Sequence, residues 1–218
     1  MPEITQIKPQ KKKKDRLNIF IGDKFAFSIS IENLLKFKLK PGTNITYEDL
    51  EKIIKLESLN KFKDYALNFL SYRPRSEKEV KDYLVKKLSK IESISYSVSK
   101  DSPIIDHTLK FLQKHNFIND IDFAKWLITS RAKSKPKGIK AIKVDLIRHG
   151  ISKNLIEQME GSLKENVAIA YRAIEKKLAR FEKLAEDEKK RKIYNYLAYR
   201  GFSHDTIKKL FAFLEKKR

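Results

Sequence analysis

Four histidines, 28 acidic residues and no cysteine are what this 218-residue chain offers for catalysis or metal binding. His107, His115, His149 and His204 form no i, i+4 pair around a glutamate, and without a thiol no cysteine-containing metal set can be completed. His115 and His149 stand at equivalent helix ends, as does Arg200, where a cation beside exposed carbonyls accounts for them. Asp120 and Asp122 follow Asn119 at a helix start, where carboxylates complement open amides. The six glycines make neither a GxGxxG turn nor a phosphate-cradling loop. The expectation is a protein with no catalytic residue, no metal and no cofactor.

The chemistry these residues do support is contact with a polyanion. Lysine and arginine number 49, for a formal charge of +21. Lysine supplies 39 of them in a chain also rich in Ile, Asn, Phe and Tyr, a profile that AT-rich coding produces as well, so placement decides more than the total. Arg131, Lys133, Lys135, Lys137, Lys140, Lys143 and Arg148 set seven positive charges against Asp145 within 18 residues, where one helix stops and the next begins. Arg73 and Arg75 lie in an equivalent turn, and Lys189, Lys190, Arg191 and Lys192 open a later helix. The candidate binding set is therefore Arg73, Arg75, Arg131, Lys133, Lys135, Lys137, Lys140, Arg148, Lys190 and Arg191. If the helical repeats stack in register these turns form one basic stripe along a phosphate backbone; otherwise they are separately solvated loops. Tyr72, Trp126 and Tyr199 are the aromatics placed to stack on bases, whereas Tyr65, Phe69 and Phe123 read as core.

The elements that must carry these groups are of two kinds. Leu17 to Ile21 and Phe25 to Ile31 are β-branched and aromatic, with alternation at Phe25, Phe27, Ile29 and Ile31, and Gly22-Asp23 between them predicts a two-residue primed turn. Ile4 to Ile7 can add a strand. The connecting run from Lys8 to Arg16, with Lys11, Lys12, Lys13 and Lys14, suits a solvated connection as well as a binding arm. Thr46-Tyr-Glu-Asp49 predicts a short helix bearing Leu50, Ile53 and Ile54.

From about residue 60 the period is helical throughout. Ser76-Glu-Lys-Glu79 is a capping box, and Ser102-Pro103 opens another helix. Three corners, Leu112 to Phe117, Leu146 to Ile151 and Leu197 to Phe202, place Asn or Gly where a left-handed residue ends a helix, with the next apolar residue packing on the leucine five positions back; Ser152 and Ser203 then cap the following helices. Asp64-Tyr-Ala66 with Arg73 recurs as Asp122-Phe-Ala124 with Arg131, offset by 58 at both ends, and Ala170, Ala173 and Ile174 give a fainter third copy whose first two helices are longer. Nine helices grouped by threes make three modules. The expected fold is mainly α, tandem three-helix helix-turn-helix-like modules with a small N-terminal β-hairpin region. The expected boundaries are 1–60 for the hairpin region and short helix, 61–118 for module 1 with a flexible Ser-rich insertion at 92–102, 119–161 for module 2 and 162–218 for module 3.

The residues that carry a family likeness run in order through two modules. Ala66-Leu-x-x-Leu70 leads into Arg73-x-Arg-Ser76-x-x-Glu79-Val-x-x-x-Leu84, then Phe117-Ile-x-Asp120-x-x-Phe123-Ala124, then Lys137-Gly138-x-x-x-Ile142-x-x-x-Leu146-x-x-x-Gly150-Ile151. This resembles the RecX family of bacterial RecA regulators over roughly residues 60 to 215, the Ser-rich stretch and the third module departing from the pattern. The resemblance implies a curved array of three-helix modules that lodges in the groove of the RecA filament on single-stranded DNA and damps ATP hydrolysis, strand exchange and coprotease function. The partners it implies are the RecA nucleoprotein filament and single-stranded DNA, with double-stranded DNA left open, and the regulator is taken as a monomer.

No signal-peptide core and no apolar run of about 20 residues is present, so the expectation is a cytoplasmic protein with no membrane partner. Two other classes stay open. One is a helix-turn-helix nucleic-acid binder with no recombinase partner, reading bases through Ser152, Lys153, Asn154, His204 or Lys208; the other is a generic helical adaptor.

Overall fold

Gly22 takes φ +59° in a two-residue turn, and β2 (Arg16–Ile21) folds back antiparallel onto β3 (Lys24–Ser30). Glycine at the first central position matches the right-handed twist of the flanking strands. The computed structural model describes residues 1–10, 15–163 and 166–216; Lys11 to Lys14, the middle of the basic connection, lie outside the described residues. β1 (Ile4–Pro9) pairs with β2, giving a three-stranded antiparallel sheet in the order β1-β2-β3.

The strand alternation holds only in part. Phe27 and Ile29 are buried, but Phe25 and Ile31 are exposed. Ile19 pairs with Phe27 and Phe20 with Phe25, so the ladder skips Ala26; this bulge turns Phe25 outward, where its ring meets the edge of Phe20. Ile31 opens a short helix, α1 (Ile31–Lys36), capped by the Ser30 hydroxyl.

Thr46 caps α2 (Tyr47–Leu70), its hydroxyl accepting from the Asp49 amide at 3.0 Å. The short helix expected here and the helix expected from residue 60 are one 24-residue element. No Gly or Pro interrupts it, and Glu48–Lys52 and Glu51–Lys55 pair at i, i+4. The helices that follow are α3 (Glu77–Glu92), α4 (Tyr96–Lys100), α5 (Pro103–Lys114), α6 (Asp120–Ser134), α7 (Ile139–Arg148), α8 (Lys153–Gln158), α9 (Val167–Phe181), α10 (Glu186–Tyr199) and α11 (His204–Lys216). The Ser-rich stretch is not a plain loop. Ser95 caps α4 by accepting from the Val98 amide, and the buried Ser99 hydroxyl donates back to the Ser95 carbonyl at 2.9 Å. Serines that compete with a strand ladder here satisfy one helical turn. In the third helix group α9 matches the 15 residues of α6, and α10, at 14 residues, is longer than α7 at 10 but shorter than α3 at 16.

Contacts divide the chain into two bodies, Met1–Phe69 with Leu84–Lys114, and Leu70–Tyr83 with His115 onward. In the first, Ile4, Ile19, Phe27, Ile29 and Ile53 form the core beneath the sheet. Glu57 of α2 ties that sheet to its helix: its carboxylate, 6% exposed, accepts from Arg16 at 2.7 Å, the Asn33 side chain at 2.6 Å and the Ser30 amide at 3.1 Å. In the second body Phe123, Ala124, Leu127, Leu146 and Ile156 form the core of α6–α8, and Ala170, Ile174, Ile193, Leu197 and Leu210 that of α9–α11. The repeat alanines Ala66, Ala124 and Ala170 are all fully buried.

The corners close as their residues dictate. Gly150 (φ +90°) and Gly201 (φ +83°) end α7 and α10 in the left-handed region, with Ile151 N–H to Leu146 O and Phe202 N–H to Leu197 O both at 3.1 Å. Ser152 and Ser203 cap the next helices through the Leu155 and Thr206 amides. Asn116 (φ +56°) ends α5 likewise, but Phe117 stays 49% exposed, with its ring near His115, rather than burying fully.

Glu57→Ala strands Arg16 with little solvent, and should cost about 3 kcal/mol in urea unfolding, whereas an apolar swap of both partners, Arg16→Met with Glu57→Leu, recovers most of it. A loss within about 0.5 kcal/mol, the scatter of surface substitutions, would show that Glu57 does not hold the sheet to α2.

Candidate nucleic-acid interface

Pro74 stops the chain from continuing α2 and the capping box restarts it at Ser76, so the turn between them holds Arg73 and Arg75 against the first turn of α3. Ser76 Oγ accepts from the Glu79 amide at 3.2 Å while Glu79 Oε2 accepts from the Ser76 amide at 3.3 Å. The same carboxylate takes Arg73 in a fork, Nη2 to Oε1 at 2.6 Å and Nη1 to Oε2 at 3.1 Å, with Arg75 3.8 Å away. The Arg73 guanidinium also lies 5.0 Å over the Trp126 ring. Burial alone would raise the Glu79 carboxyl; Arg73 outweighs it and holds the group below its ordinary value.

The α6–α7 turn repeats the arrangement with other residues. Arg131 Nε at 3.0 Å and Lys137 Nζ at 2.7 Å both donate to Asp145 Oδ2, whose side chain is 7% exposed. Burial pushes the Asp145 carboxyl up, and Lys137 and then Arg131 bring it below its usual range. His149 sits between the two clusters, its Nδ1 3.6 Å from Glu79 and its ring 5.4 Å from Phe123. Burial, opposed by Glu79 and reinforced by Arg73, lowers its pKa.

Helix ends meet head to tail around these clusters. At the start of α3, Ser76 Oγ donates to the His149 carbonyl at 2.7 Å and Lys78 Nζ to the Arg148 carbonyl at 2.9 Å, so the beginning of α3 faces the end of α7. At the start of α7, the Gly138 amide donates to the Arg200 carbonyl at 3.0 Å and the Lys140 amide to the Gly201 carbonyl at 3.2 Å, so α7 faces the end of α10. The Arg200 guanidinium closes the second joint on the Pro136 carbonyl at 2.6 Å. At the second joint open amides of α7 meet open carbonyls ending α10, whereas at the first it is side chains of α3 that serve the carbonyls ending α7. A Cβ on Gly138 would stand 2.1 Å from the Gly201 oxygen, so only glycine admits this approach. Asp120 does not serve its own helix alone: its carboxylate accepts from the Glu77 amide at 2.9 Å and caps α3, while Asn119 caps α6. Burial raises the Asp120 carboxyl.

The ten candidate residues therefore fall into two sets. Arg73 and Arg75 converge on Glu79, and Arg131 and Lys137 on Asp145, all four half-buried. Lys133, Lys135, Lys140, Arg148, Lys190 and Arg191 are exposed, Lys190 with Glu215 at 3.3 Å. Of the candidate stackers, Tyr72 and Tyr199 are 85% and 89% exposed, but Trp126 is partly buried against the α6–α8 core beneath Arg73. Reasoning from sequence missed the role of Glu79 and Asp145 as the acceptors that gather the arginines. The available signal was Asp145 standing alone among seven cations, where an unneeded acid would be unexpected. Among the described residues no group of three His, Asp or Glu side chains is placed to hold a metal, and no helix is long and apolar enough to cross a membrane.

Comparison with known proteins matches this architecture piece by piece. The family description "Regulatory protein RecX N-terminal domain" matches residues 2–46, and the first, second and third three-helix domains of RecX match residues 63–88, 119–159 and 164–211. The chain is 34% identical over 209 residues to the regulatory protein RecX of Bacillus subtilis, covering 95% of this chain and 75% of that protein. It is 32% identical over 210 residues to the one of Clostridioides difficile, covering 95% and 93%. A crystal structure of regulatory protein RecX superposes with a TM-score of 0.68 at 24% identity over 97% of this chain and 100% of that one. That of RecX from Lactobacillus salivarius gives 0.57 at 27% over 73% and 98%.

Two outcomes follow from the joint and its ion pairs. Gly138→Ala should cost at least about 2 kcal/mol by urea unfolding, since backbone must move to admit the methyl, and Gly161→Ala, with open space around it, serves as the control. His149, Glu79 and Asp145 all bind protons more weakly when folded, from ordinary values of 6.5, 4.5 and 3.8, so their stabilisation is complete above pH 6.5 and is lost on acidification, His149 first and the carboxylates below it. The urea midpoint should fall from pH 6.5 downward, and His149→Gln should remove the upper part of that fall; a midpoint that rises on acidification would contradict the assignment.

Proposed function

The chain belongs to the RecX family of regulatory proteins, and from that premise we propose that it is a non-enzymatic inhibitor of the RecA recombinase, acting as a cytoplasmic monomer. It binds the RecA–single-stranded DNA filament in its groove and damps ATP hydrolysis, strand exchange and coprotease activity. The observation that carries this is the run of four RecX domain matches in family order along one chain. We assign the N-terminal region to residues 1–60 and the three modules to 61–118, 119–161 and 162–218.

Within the candidate set the division of labour is by partner. Arg73, Arg75, Arg131 and Lys137 hold the turns on Glu79 and Asp145, and the exposed Lys133, Lys135, Lys140, Arg148, Lys190 and Arg191 meet phosphates or acidic filament surface. Of the polar readers a plain helix-turn-helix protein would need, Lys153 and Asn154 sit on the six-residue α8 and Ser152 is spent as its cap, which leaves His204 and Lys208 on α11.

ATP turnover by the cognate RecA on single-stranded DNA, at matched salt, tests this. Saturating protein should suppress turnover, and Lys133→Glu with Lys135→Glu and Lys140→Glu should raise the half-inhibiting concentration by about tenfold or more while reducing its salt slope by about 0.7 for each phosphate no longer neutralised. Unchanged turnover with the wild-type protein would overturn the assignment.

A further inference from the structure

Between the two ion-pair clusters lies a cavity of about 180 Å³ lined by Arg73, Trp126, Leu127, Ser130, Arg131 and His149. Its walls hold two arginines at repeat-equivalent positions, a histidine and a hydroxyl, and among the described residues no carboxylate lines it. Arg73 is paired with Glu79, and Arg131 and Lys137 with Asp145, three cations on two carboxylates in a half-buried setting. Low local dielectric makes such a setting attractive to an anion.

Donors are available in the wall. Arg131 gives only its Nε to Asp145, so among the described residues its two terminal amino groups are uncommitted. Ser130 accepts from the Ser134 hydroxyl through its carbonyl and donates its own hydroxyl to no described group. His149, its Nδ1 3.6 Å from Glu79, contributes a wall of the cavity rather than a donor. Arg73 remains forked on Glu79 and stacked over Trp126, contributing charge and the aromatic wall rather than new hydrogen bonds.

We propose that this cavity binds a phosphate-class oxyanion, with the terminal amino groups of Arg131 and the Ser130 hydroxyl as its donors and Trp126 and His149 forming its walls. Arginine suits the role because its planar fork matches two oxygens of a tetrahedral anion. The anion is either a backbone phosphate of nucleic acid or a free phosphate, and only the first of these rests on the filament function proposed above.

Trp126 is the sole tryptophan of the chain, so intrinsic fluorescence reports on the cavity directly. The full-length protein, without recombinase, is titrated with sodium phosphate, with sodium chloride at matched ionic strength, and with a short single-stranded oligothymidylate. The expected result is a saturable change with phosphate and none with chloride. Saturation by the oligonucleotide at far lower phosphate-group concentration identifies the nucleic-acid backbone as the source; response to phosphate alone identifies a free anion. Arg131→Gln combined with Asp145→Asn, which removes a charged pair together, should shift the midpoint by about tenfold or more, and Ser130→Ala by a smaller factor. Equal responses to phosphate and chloride, or wild-type midpoints in the double variant, would overturn the proposal. A flat Trp126 signal alongside intact suppression of RecA turnover sinks the anion site alone, and a phosphate response without suppression sinks the filament function alone.

Discussion

The contact on which the second body depends is the meeting of helix ends. A helix leaves its last carbonyls without partners, and here the next start supplies them: the Ser76 hydroxyl and Lys78 ammonium reach the carbonyls ending α7, and the Gly138 and Lys140 amides reach those ending α10. Where both partners are backbone atoms, as between α7 and α10, side-chain bulk at the joint must vanish, and at the other joint the chain still passes close to its neighbour. That is why Gly138 meets Gly201 and why the left-handed turn at Gly150 lies against Lys78. The buried pairs on Glu79 and Asp145 then fix the turns that bring those ends together. Removing one partner of such a pair is far costlier than the net worth of the pair.

This arrangement changes the meaning of the chain's positive charge. A formal +21 suggests one large field, yet Arg73, Arg131 and Lys137 are used locally, on Glu79 and Asp145, while Lys133, Lys135, Lys140, Arg148, Lys190 and Arg191 lie on the outer surface. The same half-buried clusters that stabilise the turns flank a cavity walled by Arg73 and Arg131. The exposed lysines carry what is left for steering a polyanion.

Local chemistry was legible in the sequence. The capping box at Ser76, the left-handed corners at Gly150 and Gly201, the Gly22 turn and the buried repeat alanines were all readable, because each depends on residues within about six positions. What was not legible depends on distant or cooperative terms. The Ala26 bulge reverses the facing of Phe25 through strand pairing, α2 runs on past residue 60 because nothing breaks it, and Ser95 makes a helix of what looked like loop. Glu79 and Asp145 collect their arginines across turns, and the Ser76–His149 bond spans 73 positions. Periodicity carries no information about a carboxylate's partner so far away. The family likeness was visible in the motifs from Ala66 to Ile151, and the domain matches extend it to the N-terminal sheet and the third helix group.

Asp120 caps a helix that precedes it by some forty residues, and the joints at Gly138 and Ser76 are each completed by residues that come later in the chain. During synthesis, each earlier helix pair therefore emerges with its amides still hydrated and waits for its downstream neighbour. A chain made only as far as α9 lacks the Arg200 and Gly201 carbonyls that take the Gly138 and Lys140 amides, and that joint closes only once α10 has been made.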